Sequence, residues 1–349
     1  MKSAGAYYGG LFASLIILVM IAVCFAPKGG PAKFSLPPSD VFVSSYGAQD
    51  AIHRIIYQGL FGFGTRMANA DVLIVGNSHA ELGFSAEQIS KALSFQAGHL
   101  IKVMNLAVGW GESFSFQKRV FDNNNLKCKV VLLELYRTLT QTNFSNVGRP
   151  ILLEDRITSY VKVLETWTVL RRDWLLDGIF PRITYANNKF VVQRFLMYPV
   201  GFRKWANGDV FDYWIPGWGA VFQKTPAFLI SYPKVAEHKR TGDVELIRDM
   251  LNLTLLHNRN LQIVTTLIPS NKVDQALYVE PIQQLGLPYI KISYDGIELY
   301  DWAHVNSAGR LLATSKMLTQ WRNNPVQNSS QALQSLNSCL GSLPKNVSG

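Results

Sequence analysis

Two short stretches, far apart in the chain, carry the residue types of a nucleophile, a base and a group to orient the base. The first is Gly76-Asn77-Ser78-His79, which ends the apolar run Asp71–Gly76 (DVLIVG). A strand that runs into a turn bearing a small hydroxyl residue places that hydroxyl at the carboxyl edge of a sheet, where open α/β sheets bind ligands. The second is Asp301-Trp302-Ala303-His304, just ahead of a helical pattern. Asp and His three apart share one side of a turn. The carboxylate can then fix the tautomer of the ring while the other ring nitrogen faces a serine. Alone, each stretch is commonplace: Ser78 is also a good turn residue and His304 a good helix-cap histidine. Their placement at opposite ends of one alternating pattern gives them weight, and makes Ser78, His304 and Asp301 the candidate nucleophile, base and orienter.

Those residues need a frame. Five apolar runs have strand length: Asp71–Gly76, Ile101–Ala107 (IKVMNLA), Lys129–Tyr136 (KVVLLELY), Leu261–Pro269 (LQIVTTLIP) and Leu287–Ser293 (LPYIKIS). Continuous rather than alternating Val, Ile and Leu suits parallel strands buried on both faces. Helical segments separate several of them. Ser85-Ala86-Glu87-Gln88 has the capping-box pattern, followed by Ile89 and Leu93, and Leu311, Met317, Leu318 and Trp321 repeat at helical spacing after the fifth run. This alternation predicts an open, doubly wound α/β sheet. Residues 149–236 break it. They are long and aromatic, with Trp167, Trp174, Trp205, Trp214 and Trp218, and read as an insertion or helical cap over the sheet.

The ends of the chain differ from this body. After a short segment, 1–6, the run Tyr7–Ala26 is uncharged and about twenty residues long, enough to span a bilayer core. A signal peptide has a shorter apolar region ending in a small-x-small site, and Pro27 follows Ala26 here, so an uncleaved anchor is the favoured reading. Residues 27–45 are rich in Pro and Gly and read as a stalk. Residues 46–322 form the main domain, and the polar, Ser- and Asn-rich stretch 323–349 reads as a disordered tail. The chain has 349 residues and a net charge of +10. Its Lys and Arg are scattered, which points to a membrane neighbourhood and away from nucleic acid. Three cysteines without a C-x-x-C exclude a disulfide-dense scaffold and a zinc ribbon. His53, His99, His238 and His257 lack ligand spacing, so no metal is expected. Phe114 stands where a dinucleotide fingerprint following Gly109 and Gly111 needs its third glycine, so no cofactor is expected either.

The motifs together resemble the SGNH (GDSL-like) hydrolase superfamily. Gly76-Asn77-Ser78-His79 looks like its first block, Asn105 with Gly109 like its second, and Asp301-x-x-His304 like its last. The resemblance covers roughly residues 70–145 and 260–320. It implies a flavodoxin-like open parallel five-stranded sheet with helices on both faces. It also implies a Ser78–His304–Asp301 triad and an oxyanion hole built from the N–H groups of Ser78 and Gly109, with Gly111 as the alternative. Asn105 and His79 rank below these as substrate contacts, His79 being read mainly as packing. The third block departs from the family. Its Asn, an oxyanion donor, is missing where the third run ends in Glu134-Leu135-Tyr136, a loss typically worth 10²–10³ in rate.

A degenerate third block beside a membrane segment is similar to bacterial polysaccharide O-acetylation and teichoic-acid D-alanylation proteins. That likeness implies an O-acyltransferase, with acetyl the favoured group. It would act on an exopolysaccharide or cell-wall glycan outside the cytoplasm, in the periplasm or on the outer face. Its acyl donor would come from a membrane acyltransferase partner within a polysaccharide synthesis or export complex. Tyr213, Trp214 and Trp218 are the candidate sugar-stacking surface, with aromatic core as the competing reading. A carbohydrate esterase with the same triad is the alternative, and an inactive glycan-binding or assembly subunit the third.

Overall fold

A computed structural model describes residues 41–45, 49–109, 112–136, 144–179, 200–212, 228–229, 244–251, 258–269, 276–299 and 304–342, together with position 14. The expected span Tyr7–Ala26 lies outside them. Among the described residues no helix is long and apolar enough to cross a membrane. The chain divides into two compact units, Met1–Pro37 with Trp167–Tyr198, and Pro38–Thr166 with Pro199–Gly349. In the first unit the described residues beyond position 14 are a stretch of one helix; the site lies in the second.

The elements run β1 (Val41–Ser45), α1 (Gln49–Gln58), α2 (Phe63–Asn69), β2 (Val72–Val75), α3 (Ser78–Gly83), α4 (Ala86–Ala97), β3 (Val103–Asn105), α5 (Phe114–Asn123) and β4 (Lys129–Glu134). Then come α6 (Gly148–Ile151), α7 (Arg156–Ile179), β5 (Val200–Lys204), β6 (Val210–Asp212), β7 (Phe228–Leu229), α8 (Val244–Leu251) and β8 (Leu261–Leu267). The chain continues through α9 (Ala276–Gln284), β9 (Tyr289–Lys291), β10 (Glu298–Leu299), α10 (Ser307–Arg322) and α11 (Ser329–Ser342).

Five strands form one parallel sheet in the order β3-β2-β4-β8-β9, in register from Val72 opposite Val103 and Val130 to Thr265 opposite Tyr289. The architecture is α/β, and all five strands fall within the five predicted runs. The chain leaves β2 toward β3 and then returns to the other side of β2 as β4. At such a reversal, beyond the carboxyl ends of β2 and β4, open α/β sheets bind their ligands. On one face, Val72, Ile74, Val130, Leu132, Val264 and Ile290 pack with Ile89 and Leu93 of α4 and with Met317 and Trp321 of α10. Leu73, Val75, Val131 and Leu133 alternate to the other face and are equally buried. Of the predicted α10 stripe, Leu311 is exposed instead, and Ala313 takes its place in the core.

Three expectations change. The tail is not all disordered: α11 buries Ala332, Leu333 and Leu336 against α4 and α10, and Cys339 forms a disulfide with Cys128 ahead of β4. Sparse apolar residues suffice there because the helix is docked and covalently tied. The stalk reading ends before Val41, since β1 pairs antiparallel with β5 from Val41 opposite Lys204 to Ser45 opposite Val200. The insertion is only partly helical. Besides α7 it supplies β5 and β6, which pair with each other, and β7, which pairs with β10.

Candidate active site

The site begins at Gly76. Its φ of +153° belongs to glycine, and a Cβ there would sit 2.8 Å from the Ala80 Cβ and 3.0 Å from the Glu134 Cβ. The chain therefore turns sharply between β2 and the start of α3, packed against β4. Asn77 fixes the turn from both sides. Its Oδ1 accepts the His79 backbone N–H at 2.9 Å, capping α3, and its Nδ2 donates to the Tyr136 carbonyl beyond β4. Gln117 of α5 donates to the Gly76 carbonyl at 3.1 Å, and the Val108 N–H to the same oxygen at 3.2 Å. Ser78 follows as the first residue of α3, half-buried, at the sheet's carboxyl edge.

His304 arrives from the other end of the chain. Val305 bridges to Leu299 of β10, and Asn306 caps α10 by accepting the Gly309 N–H at 2.7 Å. Asn306 also donates to the Glu298 carboxylate at 2.9 Å. Gly309 is required here, because a Cβ would collide with the Glu298 carbonyl oxygen. Held between the bridge and the cap, His304 places Nε2 2.9 Å from the Ser78 Oγ. A serine hydroxyl at that distance can pass its proton to the ring as it attacks an electrophile. Asp301 and Gly111 lie outside the described residues, as do Tyr213, Trp214 and Trp218. Gly109 is buried in the turn after β3, one residue beyond the Val108 bond to Gly76. Trp205, the nearest described member of the aromatic stretch, packs on Phe61 and Phe63.

Two lower-ranked residues find specific places. Asn105 is fully buried, but its side chain is turned onto protein. Nδ2 lies 3.3 Å from the carbonyls of Ala80 and Glu81 in α3, and Oδ1 accepts the Ala107 N–H at 3.0 Å. It ties the turn after β3 to α3, its side chain bonded to backbone where a substrate contact was expected. His79 is buried, stacked on Tyr136 with centroids 4.2 Å apart, and edge-on to His304 at 5.3 Å. Its packing thus joins the Tyr136 ring to the His304 ring.

The rest of the surroundings lay beyond motif reading. Glu134 sits fully buried at the end of β4, with Oε1 accepting the Tyr136 N–H at 3.1 Å. Burial pushes its carboxyl well up, only partly offset by the N–H groups of Tyr136 and Ile268. Through the Tyr136 N–H it pins the strand ends together. Glu112, three residues after Gly109, is buried against His53 at 3.4 Å and accepts the Ser145 N–H at 3.0 Å. Burial pushes its carboxyl up, but the bonds from His53 and Ser145 prevail and leave it below the ordinary value. Arg203 of β5, also fully buried, reaches Glu81 at 2.8 Å. Its position inside an irregular aromatic stretch offers no sequence signal. Among the described residues no group of three His, Cys, Asp or Glu is placed to hold a metal. No family model, curated protein or solved structure matches this chain.

Proposed function

We propose that the protein is a membrane-anchored O-acyltransferase that moves an acyl group, acetyl first, onto a hydroxyl of a bacterial exopolysaccharide or cell-wall glycan. The observation that carries this reading is the 2.9 Å approach of His304 Nε2 to Ser78 Oγ at the carboxyl edge of a parallel sheet. Ser78 Oγ attacks the acyl carbonyl and its proton passes to His304. The N–H groups of Ser78 and Gly109 hold the oxyanion. The tetrahedral centre collapses, and the leaving group departs with the proton from His304. A sugar hydroxyl then attacks the acyl-serine. His304 takes its proton and returns it to Ser78 Oγ as the ester forms. In this scheme Asp301 orients the ring, and Tyr213, Trp214 and Trp218 face the sugar.

The setting supports the same reading. The Cys128–Cys339 disulfide suits an oxidising compartment, which agrees with the bulk of the chain lying outside the cytoplasm behind the Tyr7–Ala26 anchor. An acyl donor there must be delivered by a membrane partner. The test is paired: acetyl transfer to an oligosaccharide, and release of a chromogenic acetate. Ser78→Ala and His304→Ala should abolish both, and an activated ester should leave an acyl adduct on Ser78 by mass spectrometry. Full activity of Ser78→Ala would refute the triad. Hydrolysis with no transfer at abundant acceptor would make the protein an esterase.

A further inference from the structure

The hairpin β5–β6 touches each catalytic block from outside the parallel sheet. Arg203, with no exposed surface, donates from Nη2 to the Glu81 carboxylate at 2.8 Å and to the Ala107 carbonyl at 2.7 Å. Glu81 lies on α3, three residues after Ser78, and Ala107 lies in the turn that leads to Gly109. Burial pulls the guanidinium below its ordinary value, and Glu81 counters this. At the hairpin's tip, the Asn207 carbonyl accepts the Asn105 N–H at 2.8 Å. Gly208, at φ +71°, presses so close that a Cβ would collide with the Asn105 carbonyl oxygen. Asp209 accepts the Glu87 N–H at 2.9 Å and so holds the start of α4. Finally, Arg310 of α10, the helix that follows His304, donates to the Val210 carbonyl of β6.

We infer that Arg203 is a positioning residue for the acyl-transfer step, and that its hairpin sets the nucleophile helix, the oxyanion turn and the base helix in mutual register. The inference rests on the acyl-serine reading above. The five-stranded sheet alone leaves β3 as an edge strand, with Asn105 tying the turn after β3 to α3 and Val108 tying it to Gly76. A displacement of about 1 Å between reacting groups costs on the order of 10² in rate. A planar, five-donor guanidinium bonded at once to a side chain of α3 and a carbonyl of the oxyanion turn forbids that displacement. A lysine in its place offers one point charge.

The experiment uses the full chain in detergent and a fluorophosphonate that labels an activated serine. It reads the labelling rate at Ser78 beside the melting temperature. Arg203→Met should slow labelling by about 100-fold and lower the melting temperature, because Glu81 is left buried without its partner. Arg203→Met combined with Glu81→Gln should recover most of the melting temperature while labelling stays at least about 30-fold slow. Wild-type labelling in that paired variant would overturn the inference and leave the pair a matter of stability alone. Should the paired variant fail to fold, Arg310→Gln reads the same hairpin from α10. Labelling about 10-fold slow at an unchanged melting temperature supports the inference, and an unchanged rate overturns it. A folded wild type that does not label at Ser78 defeats the acyl-serine reading itself, a result distinct from slow variants of a reactive parent.

Discussion

Gly76→Ala puts one methyl group where the structure leaves no room. The new Cβ would stand 2.8 Å from the Ala80 Cβ and 3.0 Å from the Glu134 Cβ, and the backbone would have to hold φ +153° with a side chain. Carbon pairs rest at about 3.5–4.0 Å, so the turn must open by roughly 0.5–1 Å. Neither neighbour is a flexible chain end: Ala80 is on α3, and the Glu134 Cβ is fixed on β4. Overpacking of this kind costs about 1–3 kcal/mol and a side chain at such a φ another ~1–3 kcal/mol. The sum, about 2–6 kcal/mol, is below the middle of the roughly 5–15 kcal/mol range of ordinary total stabilities, so the variant is expected to fold and to melt at a lower temperature. The easiest relief is a shift of α3 away from β4, which carries Ser78 from its 2.9 Å approach to His304. Such a shift should cut ester turnover by on the order of 10²-fold. The assay pairs a thermal melt with release of chromogenic acetate, for Gly76→Ala alone and with Ala80→Gly. Removing the Ala80 methyl opens the tighter of the two clashes, so the double variant should recover part of both losses. A single variant with wild-type turnover, or a double variant no better than the sum of its parts, would refute the account of the turn.

Three further outcomes are expected. Cys339→Ser opens a loop that spans 211 residues and should destabilise the chain by about 2–5 kcal/mol; denaturant unfolding with and without reductant measures it, and a reductant-insensitive wild type would count against the cross-link. Glu134 has a carboxyl raised by burial above its ordinary 4.5, so the native state binds the proton more tightly and stability drains away as pH climbs above that value. Glu134→Gln, which cannot ionise, should match the wild type at pH 4 and outlast it by a margin that widens toward pH 9 in urea unfolding. Glu154 shows the opposite sign: with Arg54 at 2.7 Å and Lys162 at 2.6 Å it is held down to about 2. Glu154→Gln should cost roughly 2–3 kcal/mol at pH 7, a difference that disappears as pH falls from about 4.5 through 2.

What was readable from the residues follows the strength of their local signals. Runs such as KVVLLE and VLIV have no polar face, and a parallel strand buried on both sides is the structure that uses them. Ser78 and His304 were findable because each sits where a strand or a bridge gives way to a helix. The C-terminal helix was not, since Ala332, Leu333 and Leu336 are few among Ser, Asn and Gln, and its docking depends on Cys128, far away in sequence. Arg203, in an aromatic stretch, belongs to no motif. Only Glu81 and the Ala107 carbonyl, brought to it by the fold, make it an interior residue. Asn105 stood as a substrate contact through the resemblance of its stretch to a family block, and the three bonds of its side chain all go to backbone. Asp301 and the Tyr213, Trp214 and Trp218 surface rest on the sequence alone.

If the chain is anchored as proposed, the pairing of β1 with β5 bears on how its C-terminal bulk would be shed from the membrane. Cleavage between residues 27 and 40 would leave Val41–Ser45 in place, and the hairpin that grips α3 would keep its neighbour. Cleavage after Ser45 would strip that neighbour away and turn β5 into a raw sheet edge, open to pairing with other chains. A released form should therefore retain Ser78 reactivity or lose it according to a boundary only a few residues wide. Under the proposed function, a protease acting on the Pro- and Gly-rich approach would release a form that keeps β1 beside β5, and one acting just beyond β1 would release a form without it.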